Sequence, residues 1–164
     1  MHSTRLRSLV VGFLTAAVLF AVPATAAADI TAFLGLGMKP ATRPARGLAF
    51  GVTLIVVGIE GEYSSISEDT GDNAPRVRTG MINAVVQTPT SGAQLYATAG
   101  AGVYRESFQN GPQETNTGLN IGGGIKLRLV GPLRLRLDYR IFKFRGEAIH
   151  KTIHRAYVGL NAGL

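Results

Sequence analysis

The most regular feature of this chain is an alternation in which every second side chain is hydrophobic. The stretch PLRLRLDYRIFKFRG, residues 132–146, opens with three leucines on one face of an extended chain and two arginines and an aspartate on the other. Because successive side chains of a strand point to opposite faces, a period of two predicts a β-strand between an apolar and a polar environment.

Eight segments of the chain show this alternation, and polar or Gly/Pro-rich breaks separate them. In chain order they are residues 29–37, 47–54, 57–67, 77–87, 93–105, 117–129, 132–146 and 151–164. Helical periodicity is scarce throughout, so the pattern predicts an all-β chain.

The breaks also alternate in length, long after the odd-numbered segments and short after the even-numbered ones. An up-and-down barrel in the outer membrane has short periplasmic turns, longer outer loops and an even number of strands. Tilted strands of roughly 10 residues can cross an apolar band about 25 Å tall. The sequence therefore predicts an eight-stranded antiparallel up-and-down transmembrane β-barrel.

The N-terminal residues have the three-part form of a secretory signal peptide. Arg5 and Arg7 precede an apolar run over residues 9–22, and a proline and a string of small residues follow. The run is short for a membrane span of about 20 residues, and no basic stop follows it. These features predict export.

We therefore assign residues 1–26 to a cleaved signal peptide and residues 27–164 to the barrel domain, with cleavage after Ala28 as the alternative. A chain of 164 residues suits one such domain. It has no cysteine, which excludes disulfides, thiolate metal sites and thiol catalysis. The formal charge of +7 is not gathered in runs, so nucleic acid is not an expected partner.

Several of these features resemble the small eight-stranded outer-membrane barrels of the OmpA, OmpX and opacity-protein type. They are the signal peptide, the eight segments, YATAGAGVY at residues 96–104 and AYVGLNAGL at residues 156–164. In that family the last strand carries a recognition signal for the barrel-assembly machinery. Tyr157, Gly159 and Leu164 match its spacing, with leucine where the family has a C-terminal aromatic residue.

The resemblance implies a protein of the bacterial outer membrane, and we expect this protein to be a monomer. Its expected partners are outer-membrane lipid, lipopolysaccharide and, during biogenesis, the barrel-assembly machinery. The break at residues 39–46 is cationic and the break at residues 68–72 is acidic, so both are candidates for contact with lipopolysaccharide or a surface partner.

The polar faces of the segments are predicted to line the lumen, because they also contain closely spaced glycines such as Gly100, Gly102, Gly122 and Gly124. An eight-stranded barrel has an interior that side chains only just fill, so bulky charged residues inside it require small neighbours. A water-exposed face would have no such restriction on volume.

Turn lengths then predict the register. A three-residue turn at residues 130–132 sets the inward pairs Arg128 with Arg134, Lys126 with Arg136, Gly124 with Asp138 and Gly122 with Arg140. A two-residue turn at residues 55–56 pairs Gly51 with Glu60 and Ala49 with Glu62. That turn is a poor one, since β-branched residues resist positive φ, so a wider turn is the alternative.

Like charges directly opposite each other are destabilising, so the basic residues need carboxylate partners from across the lumen. We predict an ion-pair network made of Glu60, Glu62, Lys126, Arg128, Arg134, Arg136, Asp138, Arg140 and Arg155, with Tyr157 and Asn161 contributing. On the lipid face only Phe50, Tyr63 and Tyr139 are aromatic, which makes the expected aromatic girdles thin.

Catalytic and metal chemistry are not predicted. His150 and His154 have a spacing that brings two ligands together on a helix, but on a strand it separates them by about 13 Å. Some small outer-membrane barrels that act on lipid A use a His-x-Ser pair. Here Arg155 and Ala156 follow His154, and no serine follows Phe108. No cofactor or metal is expected.

The function expected from the sequence is that of a non-enzymatic surface or envelope protein. Two alternatives remain open: a narrow porin-like channel for small solutes, and a soluble exported ligand-binding barrel. Arginines in so narrow a lumen would leave little free space for a solute. A soluble barrel would reverse the two faces, with its charged side chains in water.

Overall fold

In the computed structural model, eight strands form a closed antiparallel barrel in which every strand pairs with the next and β8 returns to β1. The strands are β1 (Ala26–Met38), β2 (Arg43–Leu54), β3 (Val57–Ile66), β4 (Arg76–Gln87), β5 (Ala93–Ser107), β6 (Gln113–Arg128), β7 (Leu133–Phe144) and β8 (Thr152–Gly163). The predicted eight-stranded up-and-down barrel is confirmed.

The structure describes residues 26–39, 41–90, 92–107, 113–146, 148 and 150–164. The predicted signal peptide, residues 1–26, lies outside these ranges except for Ala26, where β1 begins. Within the described ranges, no helix is long and apolar enough to cross a membrane.

Both predicted registers are confirmed. Across β6 and β7, Arg128 lies opposite Arg134 and Lys126 opposite Arg136. Across β2 and β3, Gly51 lies opposite Glu60. Because side chains alternate along each strand, these registers determine which residues of neighbouring strands meet inside the barrel.

The alternative of a wider turn between β2 and β3 is wrong. Only Ile55 and Val56 separate the two strands, and Ile55 has a φ of 55°. The left-handed conformation costs an L-residue about 1–2 kcal/mol. The paired strands on both sides hold this residue there, and its side chain is exposed at the end of the barrel.

The strands extend further toward the long loops than the sequence suggested. β2 begins at Arg43 instead of residue 47, and β6 begins at Gln113 instead of residue 117. Antiparallel pairing continues beyond the apolar wall, for example between Tyr104 and Asn116. A strand with polar residues on both faces has no alternation, so the sequence pattern resembles a loop.

The outer wall of the barrel is apolar and the interior holds charged side chains. Leu34, Ile59 and Ile82 point outward and are 68%, 66% and 70% exposed, whereas Arg136 and Arg140 are 0% exposed. A soluble barrel has the opposite arrangement, so this wall is suited to lipid and the barrel is a transmembrane one. Phe50, Tyr63 and Tyr139 also lie outward, as predicted.

The lumen has two parts. The short turns, the start of β1 and the end of β8 lie at one end of the barrel, and the longer loops lie at the other. Toward the loops the interior is filled by buried, mostly apolar side chains, which we call the loop-side cluster: Ala45, Ile66, Val77, Met81, Tyr104, Phe142, Phe144, Ala148 and Ile153. The middle of the lumen and its turn side are polar.

Candidate functional site

The charged side chains in the middle of the lumen form the candidate site, and two strands supply most of them. Glu60 and Glu62 alternate on β3, and Arg136, Asp138 and Arg140 alternate on β7. Each set occupies one face of its strand because the side-chain period is two. All five side chains are buried.

Arg136 joins the two sides of the lumen. Its guanidinium Nη1 lies 2.5 Å from Oε2 of Glu60, and its Nη2 donates to Oε1 of the same carboxylate at 3.3 Å. Its Nε donates to the hydroxyl of Tyr96 at 2.8 Å, and that hydroxyl donates to the carboxylate of Asp138. The two-point pairing between the Arg136 guanidinium and the Glu60 carboxylate fixes the planes of both groups as well as their separation.

Arg140 contacts three carboxylates. Its Nη2 lies 2.8 Å from Oε1 of Glu60, its Nε 3.0 Å from Oδ1 of Asp138 and its Nη1 3.0 Å from Oε2 of Glu62. The last contact is close enough for an ion pair but does not have the angle of a hydrogen bond. Arg140 is therefore the centre of the network.

Arg155 on β8 links the network to the loop-side cluster. Its Nη2 donates to both carboxylate oxygens of Glu62, at 2.7 and 2.9 Å, and its Nη1 donates to Oγ of Ser64 at 2.7 Å. The guanidinium also lies over the rings of Phe33 and Phe142, 4.9 and 4.8 Å from their centroids. Cation–π contact of this kind stabilises a charge that has lost its water.

On the turn side, Lys126 pairs with Asp29, whose Oδ2 lies 2.7 Å from Nζ. Asp29 was not among the predicted network residues. It lies on the polar face of β1, opposite Gly51, so its position in the alternation could have identified it. Tyr96 was missed in the same way, although it falls on the inward face of β5.

Within the described ranges, two predicted members form no ion pair. Arg134 is half-buried and donates to Oε1 of Gln94 at 2.8 Å. Arg128 is exposed, and among the described residues its side chain forms no ion pair. Arg128 ends β6 where the lumen opens on the turn side, so water solvates its charge and the predicted membership of the network is wrong.

The glycines beside the network have the role of spacers. A Cβ added to Gly122 would lie 2.7 Å from Cγ of Arg140, and one added to Gly124 would lie 2.7 Å from the hydroxyl oxygen of Tyr96. Both distances are too short for carbon in van der Waals contact. The arginine and tyrosine occupy space that any larger residue at these positions would need.

The charges of the network balance. The cations are Lys126, Arg136, Arg140 and Arg155, and the anions are Asp29, Glu60, Glu62 and Asp138. A balanced and buried set leaves no excess charge to attract a permeating ion. In the described part of the chain, no group of three or more His, Cys, Asp or Glu side chains is placed to hold a metal ion.

The cationic stretch over residues 39–46, which continues into β2, is divided between two faces. Arg43 points inward and is 2% exposed, and its Nη1 donates to the carbonyl oxygens of Ser67 and Pro75 at 3.0 and 2.5 Å. It therefore fixes the loop over residues 67–75 and is not free to contact a surface partner. Arg46 points outward and is exposed.

The predicted assembly-signal residues lie near the end of β8. Tyr157 points into the lumen and stacks on Phe33, with ring centroids 4.0 Å apart. Gly159 is buried on the same face, and Leu164 follows the strand and is 79% exposed. These positions are compatible with a terminal β-signal, whose recognition stays a prediction.

The two histidines do not come together on one surface. His154 lies on the outer wall, where its Nδ1 is 2.6 Å from the hydroxyl oxygen of Tyr139, and His150 lies in the loop before β8. The hydrogen bond satisfies two polar groups that would otherwise be unpaired in an apolar wall.

No protein-family model matches the chain, and no curated protein is detectably similar to it in sequence. Solved structures are similar in fold. The N-terminal β-barrel domain of Pseudomonas aeruginosa OprF superposes with a TM-score of 0.67 at 18% identity, covering 84% of this chain and 97% of that one. Neisserial surface protein A superposes with a TM-score of 0.64 at 13% identity, covering 85% and 96%.

The outer-membrane enzyme PagL is also similar, with a TM-score of 0.50 at 12% identity and coverage of 83% and 99%. The chain thus has the fold of the small eight-stranded outer-membrane barrels, as the sequence resemblance implied. One of these proteins is an outer-membrane enzyme and another is a surface protein, so the fold alone does not define the activity.

Proposed function

We propose that this chain is a non-enzymatic outer-membrane barrel with a structural or interaction role in the cell envelope, and that its lumen is closed by the ion-pair network. The observation that carries the proposal is the complete burial of Arg136, Arg140 and Arg155 among carboxylates of β3 and β7. Three guanidinium groups across one narrow section leave little room for a solute.

The outer-membrane location rests on the apolar outer wall and on the fold shared with known outer-membrane barrels. Its expected surroundings are therefore outer-membrane lipid and lipopolysaccharide, with the loop end toward the cell surface and the start of β1 and the end of β8 toward the periplasm. We infer that the chain acts as a monomer and that the barrel-assembly machinery recognises its last strand.

The non-enzymatic assignment rests on the surroundings of His154 on the outer wall, where this residue forms a hydrogen bond with Tyr139. A nucleophile needs a base that a third group orients. Among the described residues, no carboxylate forms an ion pair or hydrogen bond with His154.

A planar-bilayer recording tests the proposed closed lumen. The refolded mature chain should give no stable conductance steps at moderate voltage, because the ion pairs fill the section that an ion must cross. Steps that persist, and that change when Glu60 is replaced by Gln, would instead support the narrow channel. Refolding in buffer without any amphiphile would contradict the membrane assignment.

A further inference from the structure

A row of arginines crosses the outer wall near the loop end of the barrel. Following the strand pairing, Arg46 lies opposite Ser65, Ser65 opposite Arg78, and Arg78 opposite Arg105. All three arginines are exposed and outward-facing. Arg76 is exposed on the same face of β4, two residues nearer the loops. We call Arg46, Arg76, Arg78 and Arg105 the arginine row.

Among the described residues, the charges of the row face one another without carboxylate partners. Arg78 and Arg105 are direct cross-strand neighbours, an arrangement that is destabilising for like charges. Arg105 donates to Oγ1 of Thr115 at 3.0 Å. In the part of the chain that the structure describes, Arg46, Arg76 and Arg78 form no ion pair or side-chain hydrogen bond. A bound anion would relieve this repulsion.

The row lies at the boundary of the apolar wall. The next outward positions toward the middle of the barrel are Leu48 beside Arg46, Tyr63 beside Ser65 and Val103 beside Arg105. Arginines directly above an apolar surface and beside a tyrosine are suited to the level where lipid headgroups meet acyl chains.

A groove of about 780 Å³ connects the arginines with the apolar wall. Its polar end contains Arg46, Arg76 and Arg78, and its apolar end contains Leu34, Leu48 and Leu160. Ala32 lies between Leu48 and Leu160 in one cross-strand row. Because its side chain is small, the outer surface of the barrel is recessed at this point. The groove therefore combines a site for an anionic headgroup with a surface for an acyl chain.

We propose that the arginine row and this groove bind the phosphorylated lipid A part of lipopolysaccharide in the outer leaflet. The inference deepens the proposed function and rests on it, because the loop end must face the cell surface. Neighbouring strands are about 4.8 Å apart, so Arg46 and Arg105 are separated by roughly 14 Å across three strand spacings. Arginines spread over this distance favour a lipid that carries two phosphates over a lipid whose headgroup carries one phosphate.

The test compares lipid binding by the refolded mature chain in phosphatidylcholine nanodiscs. The probes are diphosphoryl lipid A, the same lipid without its phosphates, and phosphatidylglycerol. We expect the Arg46→Gln/Arg78→Gln variant to bind diphosphoryl lipid A about tenfold more weakly than wild type, because two charge-assisted contacts are lost. Binding of the dephosphorylated lipid should be weak in both proteins.

The matched control is Lys143→Gln/Lys151→Gln, which removes two exposed charges near the loop end outside the row. It should leave binding within about twofold of wild type. Equal weakening by both double variants, or equal affinity for phosphatidylglycerol and diphosphoryl lipid A, would overturn the proposal. If the double arginine variant does not fold, Arg46→Gln and Arg78→Gln are compared singly by the same criteria.

Heat-dependent mobility in gel electrophoresis reports folding in the same samples. A wild-type chain that does not fold in nanodiscs would contradict the proposed function, and the lipid site with it. A wild-type chain that folds without preferring diphosphoryl lipid A would contradict the lipid site alone.

Discussion

The two parts of the lumen are filled by different kinds of interaction. In the middle, Arg140 contacts Glu60, Glu62 and Asp138 by ion pairs. In the loop-side cluster, Tyr104 stacks on Phe144 with ring centroids 4.0 Å apart, and Ile153 is fully buried. One part depends on charges that must stay paired, and the other depends on shape and volume.

This difference predicts how each part responds to change. A buried charge that loses its partner retains its full desolvation penalty, whereas an apolar side chain that is shortened leaves a cavity whose walls can partly relax. Changes in the network should therefore be more severe than changes of similar size in the cluster. Arg155 contacts both parts, so they are physically continuous.

The largest effect is expected for Arg140→Met, which leaves Glu60, Glu62 and Asp138 with unbalanced negative charge. The free energy of unfolding should fall by about 3–5 kcal/mol. Because the chain has no tryptophan, urea unfolding from lipid vesicles is followed by circular dichroism. Lys143→Met, at an exposed outward position on the same strand, is the control and should change stability by less than about 0.5 kcal/mol.

The next effect is expected for Ile153→Ala in the loop-side cluster, where the side chain is 0% exposed. The lost contacts and the cavity should cost about 3 kcal/mol in the same unfolding assay. Ile82→Ala on the outer wall is the matched control. It should cost about 1 kcal/mol or less, since lipid chains can occupy the vacated space. Equal losses would show that the cluster is not tightly packed.

A smaller effect is expected from salt. Raising NaCl from about 0.1 M to about 1 M should change the free energy of unfolding of the wild type by less than about 1 kcal/mol, because buried pairs are little screened. The midpoint of urea unfolding, measured at each salt concentration, reports this change in stability. A strong loss of stability at high salt would indicate that the network is open to water.

A change outside both parts should have a small effect, and it should stabilise the barrel where Arg140→Met and Ile153→Ala destabilise it. Ile55→Asn should raise the free energy of unfolding by about 0.5–1 kcal/mol, because asparagine adopts the positive φ of this turn with less strain. Val130→Asn, at an exposed turn position where φ is not positive, serves as control. It should not stabilise the barrel.

The sequence predicted the barrel and its registers because a period of two determines the facing of each strand. Turn length then determined which residues lie opposite one another, as for Lys126 and Arg136. Strand order also explains why Glu60 on β3 reaches Arg136 on β7, since these strands lie opposite each other in a closed eight-stranded ring.

The loop-side cluster was not predicted because apolar residues were assigned to the lipid face. Phe142 and Phe144 continue the inward face of Arg136 and Arg140 on β7. The alternation therefore predicts that both side chains point inward, but it does not predict that apolar side chains fill this part of the lumen. Arg128 shows the reverse limitation. Arg128 lies at an inward-facing position in the alternation of β6, but alternation alone does not show where the lumen becomes open to water.

A double-mutant cycle on Glu60 and Arg136 tests directly whether the buried ion pairs form one connected network. The variants Glu60→Gln, Arg136→Gln and the combination of both are unfolded in urea from lipid vesicles. If the buried ion pairs form one connected network, the double variant should lose at least about 1–2 kcal/mol less than the sum of the single losses. Single losses that add to within about 0.5 kcal/mol would contradict a connected network closing the lumen.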